Sequence, residues 1–520
     1  MTLARPGVTL AAMPTAMAEV EPQETAGSRA TAHKCALLIF LFFSFFYAIS
    51  SSGRIRTMDE YMAFFETESL ALRHSATVPQ AVQLNYYYGK HDVHGEPRTP
   101  YPPGHPLLAT PWYLFGRYVL EQLPGIPANT ERMILEAAVC WSSACFAAVT
   151  VAFVFLTGWG IGLSLRDSAI FAAIVGLATP VFAYSSWFFS EPLTTALMFA
   201  ATYFVFGRHG GEVVANRSAV IGGALLGVAV FVRPAHALVA AVFFIALLAR
   251  DRAKARVPAL LLAAVSALGL AALLLYNFHA YGSPLEFGYP SVAEGGKRLN
   301  SFETPFLTGL FGFLFSPGKS IFLFAPPIVV AMLGIPRLWK LDRGIATVAS
   351  LSLPAYLLFY ARYSQWEGGY CVGPRYMAPV LALLCLGLVP IIAGKNHGER
   401  VALIAASIIG LAVQLVSMAT SFMESQVPAG VYYGPNWNYR MGYSLWSQVQ
   451  VLMHHIPNRA PARLGLGFDR WFVFLGKTGV AHATLAALFC VMTIGAIASG
   501  EALQRTLKQD ELRTNRLPSG

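Results

Sequence analysis

The sequence predicts an all-α polytopic membrane protein with about eleven to thirteen transmembrane helices. Three observations lead there. Of 520 residues, 55% are hydrophobic and only 12% charged, about half the charge of a soluble domain, and mean hydropathy is +0.52. Apolar runs long enough to cross about 30 Å of hydrocarbon recur along the chain. The basic residues fall in short clusters between those runs, as cytoplasmic loops require. The net charge of +10 is therefore topological: it implies the bilayer as partner and no nucleic acid.

Residues 1–33 mix Ala, Pro, Thr, Glu and Arg without period and read as a disordered cytoplasmic tail. The run Cys35–Ser52 shows no small-residue cleavage site and reads as a signal anchor. A polar first outer loop follows, 53–132. Within it, Glu60–His74 is expected as an amphipathic helix on the membrane surface, with Phe64, Phe65 and Leu72 toward lipid. Tyr86, Tyr87 and Tyr88 suit an interfacial belt.

Further spans are expected at about 133–158, 168–185, 191–207, 218–234, 235–250, 257–277, 319–338, 344–361, 376–394, 400–420 and 478–499, with 107–123 a shorter one broken by Pro111. Alternate connections carry Arg166; Arg208 and Arg217; Arg250, Arg252, Lys254 and Arg256; Arg337, Lys340 and Arg343; Lys395 and Arg400. These belong in the cytoplasm, which puts loops 53–132, 278–318, 362–375 and 421–476 outside. The organisation is then a tail (1–33), a catalytic transmembrane core (34–395), a C-terminal transmembrane region (396–500) holding outer loop 421–476, and a second cytoplasmic tail (501–520). Six cysteines (Cys35, Cys140, Cys145, Cys371, Cys385, Cys490) lie mostly within apolar runs without Cys-x-x-Cys spacing. They read as small hydrophobes rather than disulfides or metal ligands.

Every stretch with unusual chemistry falls on the outer side. Met58-Asp59-Glu60-Tyr61 puts two carboxylates where the first span leaves the bilayer, with Thr57 as their N-cap. Tyr101-Pro102-Pro103-Gly104-His105 is a rigid turn. His91, Asp92, His94 and His105 match no standard metal spacing. Ser190-Glu191-Pro192 opens a span with an acid level with Asp59, fitting either a helix start or a shared polar cavity. Arg233-Pro234-Ala235-His236 interrupts an apolar run near an outer hairpin tip, where a guanidinium needs an anion or carboxylate. Ser316-Pro317-Gly318-Lys319-Ser320 combines an ammonium with a helix N-terminus, which suits phosphate. Trp366-Glu367-Gly368-Gly369, followed by Gly373-Pro374-Arg375-Tyr376, offers a flat ring for a sugar and a bidentate fork for a phosphate.

The order and common sidedness of these motifs, from about residue 35 to 395, resemble bacterial GT-C fold glycosyltransferases. The likeness is to the superfamily of protein mannosyltransferases and aminoarabinose transferases. Residues 400–520 match only in being hydrophobic with an outer loop. The resemblance implies a GT-C-like fold whose extracytoplasmic loops form the active face. It implies a hexosyl- or pentosyltransferase in the bacterial inner (plasma) membrane, N-terminus cytoplasmic, active site toward the periplasm or exterior. The donor is a polyprenyl-phosphate-linked sugar and the acceptor a cell-envelope lipid, glycan or protein. The family's catalytic acid falls on Asp59, with Glu60 beside it, in an inverting transfer. Lys319, Arg375 and Arg233 would hold the donor phosphate, and Tyr101, His105, Glu191, Trp366 and Glu367 would line the substrate pocket. Some relatives use a divalent cation, but this sequence offers no ligand cluster for one. A polytopic transporter or flippase of envelope glycolipids is the alternative, and a non-catalytic assembly or ligase-type protein a further one.

Overall fold

A computed structural model describes residues 26–123, 125–207, 214–289, 301–419, 444–458, 470–477 and 480–514. The first span, α1 (Ala26–Ser50), is longer than its apolar run and takes in the last eight residues of the expected tail; residues 1–25 lie outside the described residues. The segment expected as the first outer loop is folded. It holds α2 (Met58–Arg73), α3 (Pro79–Gln83), a two-residue hairpin of β1 (Lys90–His91) and β2 (Pro97–Arg98), and α4 (Gly104–Glu121).

α5 (Ala128–Gly160) is long and apolar enough to cross a membrane. The expected span at 168–185 is divided at Thr179, which ends α6 (Leu165–Ala178) and caps α7 (Pro180–Tyr184) with Pro180 in its first turn. Next come α8 (Glu191–Thr202), which runs into a π-turn at Tyr203–Gly207, then α9 (Asn216–Val232), α10 (Ala237–Arg250) and α11 (Arg256–Tyr281). The short α12 (Phe306–Phe315) and α13 (Ile321–Phe324) precede α14 (Pro327–Leu341) and α15 (Arg343–Tyr360). α16 (Ala378–Leu384) and α17 (Val389–Ala393) continue one helical path, and α18 (His397–Ala419), α19 (Leu445–Asn458), α20 (Trp471–Lys477) and α21 (His482–Thr514) complete the order. Much of outer loop 421–476 falls outside the described residues, including Tyr432, Tyr433, Trp437 and Tyr439.

By length and composition, six helical stretches among the described residues are long and apolar enough to cross a membrane: Gly27–Ser50, Ala128–Gly160, Arg256–Tyr281, Arg375–Ala393, His397–Ala419 and His482–Leu512. Asn216–Val232, Pro234–Arg250 and Phe306–Phe315 are shorter apolar helices. The chain is a polytopic membrane protein, and its described residues are predominantly helical.

Two packing features fix the scaffold. α9 and α11 meet through glycines, so closely that a Cβ on Gly269 would stand 1.9 Å from the Gly227 carbonyl oxygen. In lipid such small-residue contacts supply dispersion that the hydrophobic effect does not. The basic connections also gather at one end, where Arg250 pairs with Asp342 at 3.2 Å and Arg337 makes a two-pronged bridge to Glu399.

At the opposite end α2 differs from expectation. Phe64 and Phe65 are each only 2% exposed and join a core with Met62, Tyr113, Val139 and Phe188; of the three residues expected toward lipid, Leu72 is the exposed one. Tyr86, Tyr87 and Tyr88 pack against that core too, Tyr86 with its ring 4.7 Å from Tyr61. α2 has α4 and α5 to cover it, so its apolar face needs no lipid.

Candidate active site

Thr57 begins the site by starting α2. Its hydroxyl accepts from the Glu60 N–H at 3.2 Å while the Glu60 carboxylate accepts from the Thr57 N–H at 3.0 Å, a reciprocal capping box. Glu60 is fully buried. Its carboxylate takes four hydrogen bonds, from the N–H groups of Arg56 and Thr57, the Thr57 hydroxyl and the N–H of Phe188. Burial pushes the Glu60 carboxyl up in pKa, and those bonds pull it partly back. Both oxygens are occupied in holding the fold.

Asp59 is turned the other way, with its side chain 32% exposed. Its partner comes from the far end of the core. Arg375 Nη1 donates to Asp59 Oδ2 at 2.7 Å, and Arg375 Nε donates to Glu191 Oε1 at 3.0 Å. Arg233 Nη1 donates to the same Glu191 oxygen at 2.8 Å. Four charges thus alternate in a continuous chain, Asp59–Arg375–Glu191–Arg233. Arg375 and Glu191 at its centre are 5% and 1% exposed. A charge so deep is tolerable only when paired. Aromatic faces flank it: the Arg375 guanidinium stands 3.9 Å from the Phe189 ring centroid and that of Arg233 5.2 Å from Tyr376.

Local sequence explains each position. Glu191 opens α8 with Pro192 in the first turn, where an acid meets the positive helix end. The preceding turn is stitched to the end of α1, since Ser186 Oγ accepts from the Ser52 N–H at 2.7 Å. Arg233 is the extended residue between α9 and the single 3-10 turn Pro234–His236. Arg375 opens a further 3-10 turn after a loop with Gly368 and Gly373 at positive φ. A Cβ on Gly373 would press within 2.8 Å of the Phe324 ring, so the loop reaches Arg375's place only with glycine there.

The other expected residues lie around this chain with different contacts. Lys319 is completely buried, and the helix after it, α13, is a four-residue turn. Its ammonium donates to the Cys371 carbonyl at 2.9 Å and approaches Cys371 Sγ at 3.2 Å, so it braces the loop that carries Arg375. Trp366 is 5% exposed and its ring is spent on packing against Gly312 and Phe313 of α12. Glu367 is half-buried in the same loop. His105 is buried against Phe188, rings 4.5 Å apart, and its Nε2 has no hydrogen-bond partner among the described residues. Asp92 is committed to the hairpin, accepting from the N–H groups of His94 and Glu96 and from Arg98. Among the described residues no three His, Cys, Asp or Glu side chains converge as metal ligands. Cys490 is exposed and Cys145 half-buried, and the other four cysteines are buried.

Two further features lie beyond the sequence reading. Glu66, two turns along α2 from Asp59, is fully buried; its Oε2 accepts from Thr99 Oγ1 at 2.7 Å and its Oε1 has no partner among the described residues. Burial pushes its carboxyl up to about 8, against the Thr99 hydrogen bond and the Arg98 charge. The second feature is a convergence of tyrosines near Asp59: the sequence singles out Tyr88, Tyr101 and Tyr376 one by one, but not that they come together with Tyr289 and Tyr363.

No protein-family model matches the chain, and no curated protein matches it. Among solved structures it is similar to ArnT from Cupriavidus metallidurans. The apo structure of that protein is 15% identical, with 93% of this chain and 77% of the other covered, at a TM-score of 0.44. The same protein bound to undecaprenyl phosphate matches with the same identity and coverage at 0.42.

Proposed function

We propose that the chain is a GT-C-type glycosyltransferase of the bacterial plasma membrane. It moves a sugar from a polyprenyl-phosphate donor to a cell-envelope acceptor (lipid, glycan or protein) at the extracytoplasmic face. The observation that carries this reading is the Asp59–Arg375 pair: an accessible carboxylate beside a buried guanidinium, at the end of the molecule opposite the basic connections. A single displacement needs one base and one phosphate clamp, and this pair supplies both at 2.7 Å.

The acceptor hydroxyl attacks the anomeric carbon and gives its proton to Asp59. The bond from that carbon to the phosphate oxygen breaks, and the lipid phosphate leaves with the electron pair. Arg375, with its planar fork, takes the charge. Attack and departure on opposite sides invert the anomeric centre. Arg233 and Lys319 act on the phosphate through the field they add and by holding Glu191 and the 371–375 loop. Glu60, expected beside Asp59 as a second catalytic acid, is assigned a positioning role, because its oxygens are already hydrogen-bonded. His105, Tyr101 and Glu367 remain candidates for the substrate pocket. A transporter would set its ionisable groups near the midplane, whereas this chain of charges sits at helix ends.

The test compares wild type with Asp59→Asn in nanodiscs, offered radiolabelled polyprenyl-phosphate sugars and a membrane extract as acceptor source. Transfer of label by wild type alone, with matched melting temperatures, supports the assignment. Equal transfer by both removes Asp59 as the base.

A further inference from the structure

Five tyrosines from five separate segments lie within electrostatic reach of the Asp59–Arg375 pair. Tyr88 precedes β1, Tyr101 opens the Pro-Pro-Gly turn, Tyr289 follows α11, Tyr363 follows α15, and Tyr376 stands beside Arg375. The Asp59 charge acts on Tyr88, Tyr101, Tyr289 and Tyr363 alike. Tyr101 and Tyr289 meet edge to face with centroids 5.5 Å apart, and Tyr363 meets Tyr376 at 6.1 Å. All but Tyr363 are only partly buried. An interfacial belt turns its rings outward to headgroups; four of these five lie in the field of a single carboxylate and they pack on one another in pairs.

Such a ring has a definite chemistry. Phenols bring hydroxyls that donate and accept, and faces that pack against C–H surfaces, but no charge. Among the described residues the cations that act on this ring, Arg375 and Arg233, are already matched by Asp59 and Glu191. The Lys319 charge lies behind the Cys371 loop. One negative charge, that of a phosphodiester, can enter by taking Arg375 from Asp59 at the accessible end of the chain of charges. A second one, on the sugar, would face Asp59 and the electron-rich ring faces with no unmatched cation among the described groups that act on this ring.

Resting on the glycosyltransferase reading, we infer that this tyrosine ring is the glycosyl subsite and that it selects sugars carrying no anionic substituent. A neutral ring stacks its C–H face on Tyr101 or Tyr289 and hydrogen-bonds to the phenols, while a uronic acid is turned away. Tyr289 is the specificity determinant most open to test, because it lies on a loop outside the helical core.

The experiment measures binding to the purified protein in nanodiscs by thermal stabilisation, with three probes of one chain length. These are polyprenyl methyl phosphate, a diester without sugar; a polyprenyl-phosphate neutral hexose; and the matching polyprenyl-phosphate uronic acid. The neutral hexose should bind about tenfold more tightly than the methyl diester, and the uronic acid about tenfold more weakly than the hexose. Tyr289→Ala should abolish the hexose gain and keep methyl-diester binding, while Tyr289→Phe, which keeps the ring, retains most of it. Equal binding of hexose and uronic acid, or an intact gain in Tyr289→Ala, overturns the inference. Failure of the methyl diester to bind wild type overturns the lipid-phosphate reading beneath it.

Discussion

Glu60 and Phe188 are joined by one hydrogen bond, the Phe188 N–H donating to Glu60 Oε1 at 3.1 Å. It ties α2, which carries Asp59, to the turn that carries Glu191. Both carboxylates of the ion chain are therefore positioned by a third that takes no part in it. Glu60→Gln keeps the volume but presents an NH2 to at least one of four donors. The expected cost is roughly 1–3 kcal/mol, read as a lower melting temperature in detergent. Transfer activity should fall through kcat, since Asp59 loses its fixed direction.

Glu191 holds two guanidiniums with one oxygen. Glu191→Ala leaves Arg233 and Arg375 facing each other in a buried site, and breaking a buried pair from one side costs roughly 3–5 kcal/mol. The variant should melt well below wild type. A milder result from Glu191→Ala combined with Arg233→Met, measured in the same assay, would show that the loss came from stranded charge.

Glu66 makes stability depend on pH. Its carboxyl titrates near 4.5 in the unfolded chain and is raised to about 8 in the folded one. The folded state therefore holds a proton that the unfolded state has released. Its stabilising contribution is whole below about pH 4.5 and is lost as pH rises toward 8, by a few kcal/mol. Melting temperature measured across that window should fall in wild type. In Glu66→Gln this component of the slope should vanish.

Gly269 meets the Gly227 carbonyl where no side chain fits. Gly269→Val forces α9 and α11 apart and should lower stability by several kcal/mol, in line with overpacking of a close helix pair. Gly398→Ala, where the nearest atom stands at 3.4 Å, should leave the melting temperature nearly unchanged.

The ion chain was largely legible in the sequence. Asp59, Glu191, Arg233 and Arg375 stand out because ionisable residues beside apolar runs are expensive and must be compensated. Their pairing was not legible, since residues 59, 191, 233 and 375 meet only through the fold. The contacts of Lys319 and Trp366 with the Cys371 carbonyl and with α12 were not legible either, because sequence does not say which side of a loop a side chain faces. Phe64 and Phe65 read as lipid-facing because the periodicity of an amphipathic helix reports an apolar face without naming what covers it. The tyrosine ring was the least visible feature, for tyrosines near membrane boundaries are ordinary and their convergence is a property of five loops at once.

The alternation of charge from Asp59 to Arg233 has a bearing on turnover. Under the proposed chemistry the incoming phosphate takes Arg375 from Asp59, which frees the carboxylate at the moment a base is needed. Transfer then protonates Asp59, and a neutral acid no longer competes for the guanidinium, so the spent lipid phosphate stays clamped. Only when Asp59 gives up its proton does it win Arg375 back and expel the carrier. Shedding the proton and shedding the lipid become one event, and the resting enzyme is the reset state.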